Sequence, residues 1–330
     1  MKLTLRWIPL FVFLMMCQHI AFAQKKAKPL SEKTLQQLAI LEDSMAAVAN
    51  IVVNDTIPEH RMAANDILLP LVKRFLETNG SYAYLLENVP TISVKYADDG
   101  AFRMLTWEVR EDYKTHQYYG FLQYNSSKPK YVTLDNQFQI GSDTEQAILT
   151  EAQWLGGVVY NIKSFETKSE KRKYLVFAYN SGDGVEKTKI CDVLTPRGKN
   201  LQFGSPVFVG HMGKKAFHQN RLILSHSVWT TIRLNYDEEM KLIVHDHLEK
   251  RASQNPEDGL VGIPDGTYHG FVYKDGKWEW IEKLPNQILD APPTDPNASR
   301  TRRSKIVDRE NVKAFDWPEE VKAADKKKKE

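Results

Sequence analysis

The chain has 330 residues, and 45 Lys or Arg residues against 42 Asp or Glu residues give a formal net charge of +3. This near-neutral balance provides no excess of positive charge for a polyanion, so nucleic acid is not indicated as a partner. The length is enough for one large domain or two ordinary ones with a buried core.

The first segment, residues 1–23, has the pattern of a secretory signal peptide. Lys2 and Arg6 precede an apolar run over residues 7–16, and Ala21-Phe22-Ala23 ends the segment with small residues where a signal peptidase requires them. The pattern predicts export to the periplasm, the cell envelope or the medium, with cleavage before Gln24. The run is shorter than the roughly 20 apolar residues that span a bilayer, so no transmembrane span is predicted after cleavage.

The two cysteines carry different predictions. Lipidation of Cys17 is an alternative to simple cleavage, although Met15 and Met16 are larger than the residues that usually precede a lipid-modified cysteine. After cleavage before Gln24 only Cys191 is left, so no intramolecular disulfide can form. Cys191 lies in an apolar, strand-like run, which favours a buried and unreactive thiol.

Residues 24–90 form the predicted helical N-terminal segment. Ser31 is a suitable N-cap for a first helix. A second helix is predicted around residues 68–75, where Pro70 marks a start or a kink, and Asn79-Gly80 ends it. The apolar positions of the first helix recur at steps of three and four: Leu35, Leu38, Leu41, Met45, Val48 and Val52.

Residues 91–289 change to an alternating, β-rich pattern with frequent turn residues. The fold class is predicted as mainly β with an N-terminal helical segment, in which an antiparallel meander forms a sandwich or an open barrel. A propeller-like stack is the alternative, but a loosely recurring apolar-x-Tyr unit has no fixed period. The predicted strands include residues 92–96, 102–109, 118–125 with 130–134, 173–179 with 188–194, 221–227 with 230–236, and 240–245.

Residues 290–330 form a basic tail. From Asn297 to Glu330 there are 11 Lys or Arg residues against 7 Asp or Glu residues, with few large apolar side chains. A segment of this composition cannot bury enough surface to fold, so disorder is predicted. The tail is either a solvated terminus or a segment that attracts anionic lipid headgroups or wall polymers.

Several short blocks together resemble a family of exported bacterial proteins that has no assigned activity. The resemblance covers Thr91 to about Lys283 and implies an envelope or secreted protein with a helical N-terminal part and a β body. It implies no catalytic residue. The blocks are residues 102–107, Trp154 with Leu155-Gly156, and residues 190–194, 243–248, 264–268 and 274–278.

His245 and His247 are the candidate metal ligands. Residues two apart on a strand point to the same side, so the two imidazoles are predicted to share a face. A metal would need a third ligand, for which His226, His269 and Asp265 are possible donors. The alternative is a polar strand end at a sheet rim.

Three glycine-containing segments are predicted as turns rather than as calcium or acid–base sites. Asp265-Gly266 and Asp275-Gly276 lie between alternating apolar residues, as in tight hairpins. Ser181-Gly182-Asp183-Gly184 lacks the regularly spaced ligands of a helix-loop-helix calcium site.

Trp278 and Trp280 are the candidate ligand-binding residues, because they share one face of a predicted strand. If exposed, they would form a platform for carbohydrate or protein; if the strand packs on the body, they are core residues. No Gly-x-Ser-x-Gly elbow and no nucleotide-binding glycine loop is present, so no cofactor is indicated.

The leading functional hypothesis is a non-enzymatic binding module of the envelope or secreted space, with a protein or glycan partner. The alternative is a hydrolase that acts on cell-wall or extracellular polysaccharide, because such enzymes need only two carboxylates that the fold brings together. The catalytic residues of such a hydrolase cannot be chosen from the sequence. A concave pocket with two acidic groups and an aromatic side chain would favour the hydrolase.

Overall fold

The computed structural model describes residues 30–168, 172–212 and 215–284. These residues form a mainly β fold with two helices at the N-terminal part. The predicted signal peptide and the predicted basic tail lie outside the described residues.

The two helices are α1 (Glu32–Asn54) and α2 (Pro58–Glu77), followed by a short 3-10 helix at Ser81–Ala83. The predicted N-cap is confirmed, since the Ser31 side chain accepts a hydrogen bond from the Thr34 amide. Helix α2 begins earlier than predicted, at Pro58, where a proline costs no hydrogen bond. Pro70 lies inside α2 and does not end it.

Sixteen strands follow in the described part of the chain. The first eight are β1 (Ser93–Tyr96), β2 (Phe102–Arg110), β3 (His116–Tyr124), β4 (Tyr131–Asp135), β5 (Leu149–Thr150), β6 (Val158–Glu166), β7 (Arg172–Asn180) and β8 (Glu186–Arg197). The others are β9 (Asn200–Phe203), β10 (Phe208–Met212), β11 (Lys215–Gln219), β12 (Leu222–Ser227), β13 (Leu234–Asp237), β14 (Leu242–Ala252), β15 (Leu260–Lys274) and β16 (Lys277–Ile281).

The strands build three sheets. The first has the order β1-β2-β3-β4, and the second has the order β5-β9-β8-β7-β6 with β12 also paired to β8. The third has the order β11-β10-β16-β15-β14-β13, in which β10 runs parallel to β16. No sheet closes into a barrel in the described residues, so the sandwich prediction is confirmed.

The helices and the three sheets pack as successive layers. Val72 and Phe75 of α2 pack with Trp107 of β2 between the helices and the first sheet. Met104 faces the opposite way and packs between the first and second sheets. Because both faces of β2 are covered, residues 102–107 are all buried, and apolar side chains lie on both faces of the strand. A third core lies between the second and third sheets and contains Cys191, whose predicted burial is confirmed.

Two turn predictions have opposite outcomes. Asp275 and Gly276 both have positive φ, 51° and 82°, and connect β15 to β16 as predicted. The hairpin prediction for Asp265-Gly266 is wrong, because this pair lies within β15. There the register slips, so that residues 265–267 face the single residue His247 of β14 as a bulge.

The predicted hairpin of residues 221–227 with residues 230–236 is also wrong. The two strands of this region are β12 and β13, and they belong to different sheets. β12 pairs with β8, whereas β13 pairs with β14. The short link between them therefore carries the chain from the second sheet to the third.

Candidate functional site

A group of polar residues lies on one face at the end of the β2–β3 hairpin. Glu108 is directly opposite Tyr118, and Arg110 is directly opposite His116. Directly opposite residues of an antiparallel pair share a face, and on β2 this is the face of Met104, which packs toward the second sheet. At the hairpin end, past Met104, this face of β2 carries the polar residues Glu108 and Arg110, which line a cleft.

This cleft, which we call the Glu108 cleft, has a volume of about 430 Å³. It lies between the last turn of α1, the end of the β2–β3 hairpin and the turn that joins β7 to β8. Its lining residues are Val52, Val53, Glu108, Arg110, Tyr113, His116, Tyr179, Ser181, Gly184, Lys187 and Val228.

Hydrogen bonds from Ser181 join the two walls of the cleft. The Ser181 hydroxyl donates to Glu108 Oε2 over 2.6 Å, and the Ser181 amide donates to the Tyr118 hydroxyl oxygen over 2.7 Å. Burial raises the pKa of Tyr118, and the nearby Glu108 carboxylate raises it further. Tyr118 therefore stays protonated at neutral pH, and the β7–β8 turn is held in place against the hairpin.

His116 lies beside the Glu108 carboxylate and makes no hydrogen bond through Nδ1. Its Nδ1 atom is 3.9 Å from Glu108 Oε2, and its side chain is only 9% exposed. Burial lowers the pKa of His116, and Glu108 opposes this effect. The imidazole is therefore neutral at neutral pH and offers the cleft a group that has no hydrogen-bond partner at Nδ1.

Large aromatic side chains lie exposed in and next to the cleft. Tyr113, in the β2–β3 loop, is 72% exposed, and Trp229, which follows the lining residue Val228, is 68% exposed. The Lys114 ammonium lies 5.2 Å from the centre of the Tyr113 ring. Exposed aromatic rings combined with convergent polar groups are typical of ligand sites.

The arrangement limits what the cleft can do chemically. Glu108 is the only carboxylate among its lining residues, so the cleft lacks the acid and nucleophile pair of a glycoside hydrolase. The Ser181 hydroxyl donates to that carboxylate rather than to an imidazole, unlike a serine that a histidine base activates. The interactions that it offers are hydrogen bonding, charge pairing through Arg110 and Lys187, and ring stacking.

The predicted metal-binding histidines lie together on the third sheet, but they are already engaged. His245 Nδ1 is 2.9 Å from the Asp246 carbonyl oxygen, and His247 Nδ1 is 2.9 Å from Asp265 Oδ2. The ring of His247 stacks on His269 with 4.5 Å between centroids. In the described ranges, no three His, Cys, Asp or Glu side chains are grouped so that they could hold a metal ion.

The two candidate tryptophans differ in position. Trp278 is 2% exposed and lies in the core between the second and third sheets, next to Phe165 and Tyr236. Trp280 is half-buried, and its ring contacts His269 and Phe217. Trp278 therefore occupies the core position that was the alternative to a surface platform.

The cleft residues were missed by the sequence analysis because they belong to separate segments. The predicted strands ended at residue 109 and resumed at residue 118, which left Arg110 and His116 in a loop. The sequence does contain polar residues two apart on both sides of the turn, Glu108 with Arg110 and His116 with Tyr118. That they share one face can be inferred only once the register of the hairpin is known.

Replacement of Gly182 by alanine should disturb this cleft. Gly182 has φ of +75°, and an added Cβ would lie 1.6 Å from the Glu186 carbonyl oxygen. We expect Gly182→Ala to lower the free energy of unfolding by about 2 to 3 kcal/mol, measured by urea denaturation. Gly198→Ala is the matched control, because Gly198 has φ of +70° and no atom lies near an added Cβ. This variant should lower the free energy of unfolding by about 1 kcal/mol. Equal losses would contradict the expectation.

No family model matches this chain, and no curated protein or solved structure matches it. The resemblance to a family of exported proteins therefore stays a prediction. Neither helix of the described ranges is long and apolar enough to cross a membrane.

Proposed function

We propose that this chain is an exported, non-enzymatic binding module of the cell envelope or the secreted space, and that the Glu108 cleft holds its ligand. The observation that carries the proposal is the make-up of the cleft: a carboxylate, an imidazole, a serine and the exposed Tyr113 ring line one concave space. Export is supported by the signal-peptide pattern of residues 1–23.

The cleft chemistry favours binding over hydrolysis. Polysaccharide hydrolysis by the usual route requires two carboxyl groups that flank the scissile bond, whereas Glu108 is the only one among the lining residues. Its Oε2 atom already accepts a hydrogen bond from the Ser181 hydroxyl. The hydrolase alternative therefore has no observation in its favour at this cleft.

A glycan fits the cleft better than a protein surface. Stable protein interfaces bury roughly 800 Å² on each partner, whereas a concave space of about 430 Å³ is of the size that holds a small ligand. Sugar hydroxyls both donate and accept hydrogen bonds, and sugar rings have an apolar face that stacks on aromatic side chains. Glu108, His116 and Tyr113 offer these contacts together.

The test is calorimetric titration of the exported full-length protein with oligosaccharides from envelope and extracellular polysaccharides. We expect the secreted chain to begin at Gln24 and to bind at least one of them. Glu108→Gln should weaken binding about tenfold or more, because the amide cannot replace both acceptor oxygens. Tyr113→Ala should weaken it similarly through lost stacking.

Matched substitutions on the third sheet serve as controls. Glu279→Gln and Tyr273→Ala remove the same chemical groups from positions outside the cleft, where Glu279 is half-buried and Tyr273 is exposed, and should leave the affinity unchanged. Release of shortened oligosaccharides during the titration would contradict a non-enzymatic module. Failure of every glycan to bind would overturn the glycan proposal.

A further inference from the structure

The Glu108 cleft contains two cations without an ion-pair partner. Arg110 and Lys187 line it, and neither side chain forms an ion pair with any described residue. Other cations of the described surface do have partners; Lys163, for example, is 3.1 Å from Asp98 and 2.8 Å from Glu238. What distinguishes Arg110 and Lys187 is that both line the same concave space.

The carboxylates near the cleft are engaged by other groups. Asp183 Oδ1 accepts from the amides of Val185 and Glu186 in its own turn. Asp112 Oδ1 accepts from two amides in the β2–β3 loop, at 2.6 and 2.7 Å. Glu186 Oε1 is held by the Lys250 ammonium and the Gly262 amide on the far side of β8. These carboxylates satisfy backbone and neighbouring groups rather than the cations of the cleft.

A third cation, Lys114, lies on the rim over the Tyr113 ring. Inside the cleft the opposing charge is that of Glu108, which already bonds Ser181. His116 adds a buried imidazole whose Nδ1 has no hydrogen-bond partner. Arg110, Lys187 and Lys114 therefore give the cleft an excess of positive charge next to an aromatic surface.

We propose that the ligand of the Glu108 cleft is an acidic saccharide, which rests on the proposed glycan-binding function. Its carboxylate lies between Arg110 and Lys187, because a guanidinium binds a carboxylate through two parallel hydrogen bonds. Its ring stacks on Tyr113, and its hydroxyls bond to His116 and to the free oxygen of Glu108.

The test compares two oligosaccharides that differ in one group. One is a short uronic-acid oligosaccharide, and the other is the same compound with each carboxylate reduced to a primary alcohol. We expect the full-length protein to bind the acidic form at least tenfold more tightly in calorimetric titrations. That preference should shrink as salt is added, since screening weakens exposed charge pairs.

Three variants locate the preference. Arg110→Gln and Lys187→Gln should each reduce the preference for the acidic form, measured as the ratio of the two affinities, severalfold. Lys199→Gln, in the exposed turn between β8 and β9, removes the same charge away from the cleft and should change neither affinity.

The outcomes separate this inference from the function on which it rests. Equal binding of both compounds overturns the acidic preference and keeps a glycan-binding module. Binding of neither overturns the acidic-saccharide inference, and the glycan-binding function is overturned with it only if every other glycan tested also fails to bind. Binding of a short acidic peptide without either saccharide keeps the anion chemistry and overturns the saccharide assignment.

Discussion

Replacement of Asp192 by alanine is expected to destabilise the folded chain by about 3 to 5 kcal/mol, because it leaves a buried cation without its counter-charge. Asp192 Oδ2 on β8 is 3.1 Å from Arg221 Nε, and the Arg221 side chain is 0% exposed. Burial raises the pKa of Asp192, and the Arg221 charge opposes that effect. Arg221 also donates through Nη1 to the carbonyl oxygens of Thr144 and Ala147, so it links the β4–β5 loop to the second sheet.

Urea denaturation of the purified protein measures this loss. Glu249→Ala is the control, because Glu249 pairs with Arg251 at an exposed position on β14 and should lose less than about 1 kcal/mol. The double variant Asp192→Leu with Arg221→Met removes both charges and should recover much of the stability. An unchanged denaturation midpoint for Asp192→Ala would contradict a stabilising role of the pair.

Acidification from pH 6.5 to pH 4 is expected to destabilise the protein by several kcal/mol. Burial lowers the pKa of His226 and that of His245 to about 4 each, whereas an exposed histidine titrates near 6.5. Between these values the unfolded chain binds protons that the folded chain does not, so stability falls as the pH falls. At about 1.4 kcal/mol per pKa unit, each histidine contributes at most about 3 kcal/mol.

Two neighbouring histidines, His247 and His269, lower the pKa of His245 further. Positive charge on His269 or His247 further disfavours protonation of His245, and burial lowers the pKa of His269 as well. The Asp246 backbone carbonyl partly opposes the shift by accepting a hydrogen bond from the His245 ring. Acid therefore acts on the β14–β15 region of the third sheet as well as on His226 of β12.

The test measures urea midpoints at pH 6.5, 5.5 and 4 for the wild type and for His245→Phe. The phenyl ring retains packing beside Phe271 but cannot titrate, so its pH dependence should be weaker by up to about 3 kcal/mol. His218→Phe, at an exposed position on β11, is the control and should keep the wild-type dependence. If His245→Phe keeps the full pH dependence, burial of this imidazole is not a cause of acid instability.

The local elements were predictable because their signals lie in neighbouring residues. The apolar spacing from Leu38 to Val52 sets the buried face of α1, whereas Leu35 is exposed, and Ser31 supplies the cap. The β-favouring side chains of residues 102–109 likewise identified β2, and turn chemistry identified Asp275-Gly276. In each case the physical cause acts within a few residues of the pattern.

The parts that could not be predicted depend on partners far along the chain. Arg103 is buried inside an apolar strand because Gln123, Tyr96 and the carbonyl oxygens of Ser81 and Tyr84 accept its hydrogen bonds. Glu108 meets Ser181 across 73 residues. Asp265-Gly266 has the same local chemistry in a hairpin or in a bulge, and only pairing with β14 decides between them.

Strand β10 pairs in parallel with β16, the last strand of the described chain, so it must wait for the end of the β body before it can join the third sheet. Strand β16 lies between β10 and β15, with Phe208 beside Trp278 and the Trp278 amide bonded to the Val207 carbonyl oxygen. During synthesis from the N-terminus, β10 and β11 emerge long before the strand that joins them to the third sheet. A chain that stops before Lys277 leaves that hairpin without its neighbour, with an open edge exposed to other chains.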